Sequence, residues 1–189
     1  MVSIKRNSKG EYQEAKGIRS RANSIYTPGQ NSFFKISRSK FSDFLDCPRC
    51  FYLDRVKGLQ SPSMPGWALN TAVDELLKKE FDIYRAQKKP HPIFEEYKLN
   101  FVPFEHEDLN TWRNSLNGGI GFEDEETNLY IHGGVDDIWY DLDSQKLVVA
   151  DYKAQSSSFP IEKESYLAST YHQSYKTQMD IYVYILRQM

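Results

Sequence analysis

The stretch His132-Gly133-Gly134-Val135-Asp136-Asp137-Ile138-Trp139-Tyr140, taken with Leu147-Val148-Val149-Ala150-Asp151-Tyr152-Lys153, decides the reading of this chain. Both segments are rich in β-branched and aromatic residues, which favour strands. Between them, Asp141-Leu142-Asp143-Ser144-Gln145-Lys146 reads as a hairpin connection. Side chains alternate across a strand, so Asp151 and Lys153 share a face. Antiparallel pairing about a turn at 143–145 sets Asp136 opposite residues near 151–153. Two carboxylates and one ammonium are therefore expected at one sheet end.

That trio has a chemical use. Hard divalent cations take oxygen ligands, and Mg²⁺ is commonly held by one or two carboxylates with water and phosphate oxygens. Asp136 and Asp151 offer the carboxylates, and the carbonyl of Tyr152 offers a further oxygen. Lys153 is placed to stabilise developing negative charge or to orient a water. The acidic-x-Lys triplet is short and occurs three times, as Glu14-x-Lys16, Glu96-x-Lys98 and Asp151-x-Lys153. Only the third follows an apolar strand and has a Gly-x-x-Asp fifteen residues upstream. The plain alternative is a surface hairpin with ordinary Asp and Lys.

Further along, Tyr171, Tyr175, Gln178, Tyr182 and Ile185 recur at spacings of four and three, on one face of a helix expected from about Tyr166 onward. Most of this stripe reads as aromatic core. Gln178 does not, because a buried amide needs a hydrogen-bond partner; a phosphate, a base or a water would serve.

Toward the N-terminus, a long helix is expected over 67–88, with Leu69, Val73, Leu76, Leu77, Phe81 and Tyr84 on its apolar side. Short helices are expected from Lys40 to Asp46, with Phe41, Phe44 and Leu45 inward, and from Phe51 to Val56. Pro62, Pro65 and Gly66 mark a connection. Residues 95–104 alternate as a strand, 107–117 form a short helix or loop, and strands are expected at 120–123, 128–132 and 134–142. The apolar run from Ile181 to Leu186 reaches the last residues without a cap, so the pattern implies a fragment lacking a later element.

Gly133-Gly134-Val135-Asp136, then Asp151-Tyr152-Lys153, then Gln178-Met179-Asp180-Ile181-Tyr182, in this order, resemble the RecB-like branch of the PD-(D/E)XK nuclease superfamily. Ile36-Ser37-Arg38-Ser39-Lys40-Phe41 and Cys47-Pro48-Arg49-Cys50-Phe51-Tyr52-Leu53 are also similar to the opening of many members, including CRISPR-adaptation exonucleases and helicase-linked recombination nucleases. The likeness spans roughly 36–186. It implies an α/β fold with a restriction-endonuclease-like core, a mixed sheet flanked by helices, here missing its last strand. It also implies a divalent-metal-dependent nuclease acting on DNA phosphodiester bonds in repair, recombination, phage or defence processing, with a helicase or recombination protein as a further partner. Asp136 and Asp151 would bind Mg²⁺ or Mn²⁺, Lys153 would be the catalytic lysine, and Gln178 and Tyr182 would form an accessory motif near the nucleic acid.

Two departures stand out. Many members carry a metal-binding His four residues after a Gly on the first long helix, where this chain has Asn70 after Gly66. Asp74, one turn on, is the available substitute. Some relatives also hold an iron–sulfur cluster through one early Cys and three late ones. Cys47 and Cys50 are the chain's two cysteines, and two thiolates do not complete a four-ligand site. Among the scattered histidines, His132 lies nearest the Gly-x-x-Asp segment and is the one to test.

The chain of 189 residues is 40% hydrophobic and 26% charged, which suits one folded domain. Residues 1–40 hold nine Lys/Arg against two Glu, and the remainder carries a net charge of -9. This basic leader suggests a flexible arm over 1–31 that can touch nucleic acid, ahead of a nuclease-like domain at 32–189. No apolar run approaches the roughly 18 residues of a membrane span, so no membrane partner is expected. With no apolar signal region and only a Cys-x-x-Cys pair, a reducing, cytoplasmic setting is expected. The competing functional reading is a non-catalytic nuclease-like module that binds nucleic acid or protein.

Overall fold

Phe34 and Ile36 alternate with Lys35 and Ser37, and this period of two forms the first strand, β1 (Phe34–Ser37), with both apolar residues buried. Helix α1 (Arg38–Asp46) follows directly. Helix α2 (Pro48–Arg55) starts three residues earlier than the expected 51–56, because Pro48 occupies the first turn, where its missing N–H is no loss. Cys47 caps α2 by accepting from the Cys50 backbone N–H at 3.2 Å. Phe44 and Leu45, expected inward, are largely exposed, and Phe44 meets Phe51 edge-on.

The computed structural model of the chain describes residues 6–7, 9–14, 16–61, 68–155 and 157–189. The expected connection at 62–66, the Gly66-Trp67 pair and the Leu69 side chain lie outside the described residues. The described parts divide into two compact units, Met1–Trp67 with Glu123–Ile131 and Ala68–Phe122 with His132–Met189. This division differs from the expected boundary at 31/32. In the first unit, part of the basic leader is tied down. Ile18 bridges Leu59, the Arg19 guanidinium pairs with Asp54, and the Tyr26 N–H donates to the Arg55 carbonyl at 2.6 Å.

In the second unit, α3 (Ala68–Gln87) buries Phe81 while Leu76, expected inward, is exposed. Its inner face carries Arg85 instead. The strand expected over 95–104 is helix α4 (Pro92–Glu96) followed by a short strand β2 (Phe101–Pro103). Pro92 at the first helical position and the His91 ring, accepting from the Ile93 N–H at 3.2 Å, nucleate that helix. Helix α5 (Leu109–Arg113) precedes strands β3 (Ile120–Asp124), β4 (Leu129–Gly133), β5 (Asp137–Asp141) and β6 (Lys146–Ala150). The single helix expected from Tyr166 is instead α6 (Lys163–Ala168), a 3₁₀ turn at Thr170–His172, and α7 (Gln173–Gln188). The break falls at Ser169, whose backbone is extended.

The strands form two three-stranded sheets, ordered β1-β4-β3 and β2-β5-β6. The second is antiparallel throughout, pairing Trp139 with Pro103 on one side and Val148 on the other. The chain is thus α/β. Its hairpin turn is built by Asp141, which accepts from the Asp143 N–H at 2.9 Å and from the Ser144 hydroxyl at 2.6 Å. Against this sheet lies an aromatic core in which Phe81 stacks on His91 at 4.1 Å and on Trp139 at 5.2 Å, with Phe94 edge-on to Trp139. Among the described residues, no helix is long and apolar enough to cross a membrane.

Candidate functional site

The β5–β6 register pairs Asp137 with Ala150 and Ile138 with Val149. One step further, Asp136 and Asp151 stand at the open end of the hairpin, Asp136 just before β5 and Asp151 just after β6. The Tyr152 backbone N–H closes the gap by donating to Asp136 Oδ2 at 2.9 Å. Lys153 turns back to pair with Asp151 and lies 5.3 Å from the centroid of the Tyr175 ring. The two carboxylates, the Tyr152 backbone and the Lys153 ammonium therefore meet at one place.

Helix α7 adds the expected amide. Gln178 is buried, and its Nε2 donates to Asp151 Oδ1 at 2.6 Å and to the Tyr182 hydroxyl at 3.2 Å. Tyr182 is buried as well, so it supports Gln178 and presents no exposed ring to a nucleic acid. Its ring lies flush against the Gly133 backbone, where an added Cβ would come within 2.4 Å of Tyr182 Cε1. Gly119, at φ +91°, also packs on Gly133, with no room for a Cβ beside the Gly133 carbonyl. The glycine of the Gly-x-x-Asp segment thus lets α7 approach closely enough to deliver Gln178.

The remaining candidates are placed unequally. Asp74 lies on α3 and bonds Lys78 at 2.7 Å through Oδ2. Lys78 reaches on to Asp136 Oδ1 at 3.2 Å. Asp74 is therefore linked to the carboxylate pair through an ammonium. Asn70, one turn earlier, is exposed. His132 is half-buried on β4, four residues before Asp136.

Below this cluster is a second one that sequence reasoning missed. Asp137 is fully buried and pairs with Arg85 from α3 and with Arg113 from α5, whose Nη2 lies 3.0 Å away. The Tyr152 hydroxyl donates to Asp137 Oδ2 at 2.9 Å. Asp82 completes the network by accepting from both guanidinium groups. Arg113 also donates from Nε to the Asp136 carbonyl at 3.0 Å, so the buried network grips the backbone that carries the half-buried Asp136 carboxylate. The available signal was a charged residue on an apolar stripe: Arg85 follows Phe81 by four. Arg113 carried no such signal.

The electrostatics follow from burial. Burial pushes the Asp151 carboxyl above the usual carboxylate range; Lys153 opposes this, and the neighbouring Asp136 charge adds to it. Burial works against the Lys78 charge, yet Asp74 and Asp136 hold its ammonium above the ordinary lysine range. Burial and then the Asp137 charge push the Tyr152 phenol far upward, so it remains a hydrogen-bond donor.

The donor set suits a hard cation. Asp136 and Asp151 supply carboxylate oxygens, and each oxygen retains a lone-pair direction beyond the bond it already accepts. No group of three or more His, Cys, Asp or Glu able to hold a metal is found among the described residues. Two carboxylates with water and phosphate oxygens are nevertheless enough for Mg²⁺. Comparison with protein-family models, curated proteins and solved structures finds no match to this chain.

Proposed function

We propose that the chain is a divalent-metal-dependent nuclease of the PD-(D/E)XK type, hydrolysing DNA phosphodiester bonds on a restriction-endonuclease-like core. One observation carries this reading: Asp136, Asp151, Lys153 and Gln178 converge at the open end of the β5–β6 hairpin. Asp136 and Asp151, with the Tyr152 carbonyl, would hold Mg²⁺ or Mn²⁺. Such an ion polarises a phosphate and lowers the pKa of a bound water.

The chain's own groups do the rest. Lys153 places a positive charge where a pentavalent phosphorane's negative charge would develop. Gln178 fixes one Asp151 oxygen, which leaves the other to Lys153. Arg113, anchored on Asp137 and Asp82, holds the Asp136 peptide in place. This preorganisation keeps the acidic pair from collapsing onto other partners.

The test is cleavage of single- or double-stranded DNA by purified protein with Mg²⁺ or Mn²⁺. Asp151→Ala and Lys153→Ala should each abolish it while the far-UV circular dichroism stays unchanged. Cleavage that survives both substitutions removes the assignment. A second reading, a non-catalytic nuclease-like module, is favoured by the neutralisation of Asp136 and Asp151 by Lys78 and Lys153. It predicts salt-sensitive DNA binding that depends on the basic residues of 1–40 and needs no metal.

A further inference from the structure

The inference concerns Lys78 and rests on the metal-dependent reading above. Lys78 is absent from the Gly-x-x-Asp, Asp-x-Lys and Gln-x-x-x-Tyr segments and reaches the site only through the packing of α3. Its ammonium lies 2.7 Å from Asp74 Oδ2 and 3.2 Å from Asp136 Oδ1, a cation shared by two carboxylates. All three side chains are largely sheltered, with relative exposures of 20% for Lys78, 20% for Asp136 and 26% for Asp74. Asp74 Oδ1 is buried and finds no hydrogen-bond partner among the described residues, so this carboxylate retains coordinating capacity that the ammonium leaves unused.

Charge counting gives this position a meaning. Asp74, Asp136 and Asp151 bring three negative charges, and Lys78 and Lys153 bring two positive ones. The cluster is left with one negative charge. A single divalent ion together with one phosphodiester brings the assembly to neutrality. A second divalent ion would leave it doubly positive. Two-metal phosphodiesterases place a second ion about 3.5–4 Å from the first. Asp136 would be the carboxylate shared by two such ions here, and its Oδ1 already accepts from the Lys78 ammonium.

We propose that Lys78 is the built-in second cation of this site: it occupies the position between Asp74 and Asp136 that a second divalent ion would take, and so limits the site to one.

Mn²⁺ uptake tests this without any cleavage assay. Titration of the full chain, followed by calorimetry and by the electron paramagnetic resonance of free Mn²⁺, should give one equivalent for the wild type. Lys78→Met should take two, and Asp74→Asn in the Lys78→Met background should return the count to one. Lys78→Gln repeats the measurement with a polar side chain, in case the Met variant does not fold. Wild-type uptake of two equivalents, or uptake of one by both the wild type and the neutral Lys78 variants, overturns the proposal. If the wild type takes one equivalent and Asp151→Ala takes the same, the metal reading itself fails, whatever Lys78 does. No uptake by any of these chains overturns both.

Discussion

Gln178 Nε2 donates to Asp151 Oδ1 at 2.6 Å, joining a residue of the last helix to a carboxylate 27 residues earlier. This bond answers the question a buried amide raises on an apolar helical stripe. It also fixes which Asp151 oxygen is left for Lys153. The link runs through a glycine, because Tyr182, the second acceptor of Gln178, rests on the bare backbone of Gly133.

Gln178→Ala should therefore weaken Mn²⁺ binding and cleavage by about 10–100-fold, the usual effect of removing a partner that orients a metal ligand. Gln178→Glu should be worse, since it sets a carboxylate against a carboxylate. Calorimetric Mn²⁺ affinity read beside cleavage rate checks both; equal affinity in wild type and Gln178→Ala would contradict the role.

Asp151→Asn should cost activity and add stability. The Asp151 carboxyl is raised above the ordinary aspartate range. The folded chain thus binds this proton more tightly than the unfolded chain. The group's favourable contribution is complete below the ordinary aspartate value and is lost as pH rises through the raised one. At pH 7 the ionised group weakens the fold, so the amide should raise the thermal midpoint. At pH 3 the gain should vanish. Melting curves at the two pH values decide it.

Asp137→Ala should be severely destabilising. It leaves the guanidinium groups of Arg85 and Arg113 buried without their shared carboxylate. Breaking such a pair typically costs about 3–5 kcal/mol. Urea denaturation measures this, and a loss under about 1 kcal/mol would show that Asp82 alone suffices to hold both.

Gly133→Ala should loosen α7 against the sheet. The new methyl would overlap the Tyr182 ring, which is buried. A cost of about 1–3 kcal/mol is expected, with cleavage falling further than stability because Gln178 shifts with the helix. Gly133→Ala combined with Tyr182→Leu should recover part of the stability and none of the cleavage.

Cys47 should alkylate faster than Cys50. The Cys50 thiol and backbone N–H both donate toward Cys47 Sγ, which lowers the Cys47 thiol below the ordinary cysteine value, while the Cys50 thiol is raised. Timed iodoacetamide labelling at pH 8 with peptide mass mapping should show Cys47 leading severalfold, and Cys50→Ser should narrow that lead by removing one donor.

The hairpin and its register were legible in the sequence. A strand has a period of two, and the Asp141–Lys146 turn has few ways to close, so Asp136 was expected opposite residues near 151–153, and the register carries it next to the Asp137–Ala150 pair. Gln178 was legible as a polar residue that needed a partner, though not as the partner of Asp151. The ends of the shorter helices were misread where a proline or a capping side chain outweighed the alternation, as at His91-Pro92.

Sequence by itself determined the local periodicities, and through them the long helices and the β5–β6 hairpin. Only the tertiary structure decided that Lys78 would sit on Asp136 across 58 residues and that Arg85 would meet Asp137 across 52. Such partnerships depend on how α3 packs against the sheet. Burial then gives each charge its partner, because an unpaired charge away from water costs too much to keep.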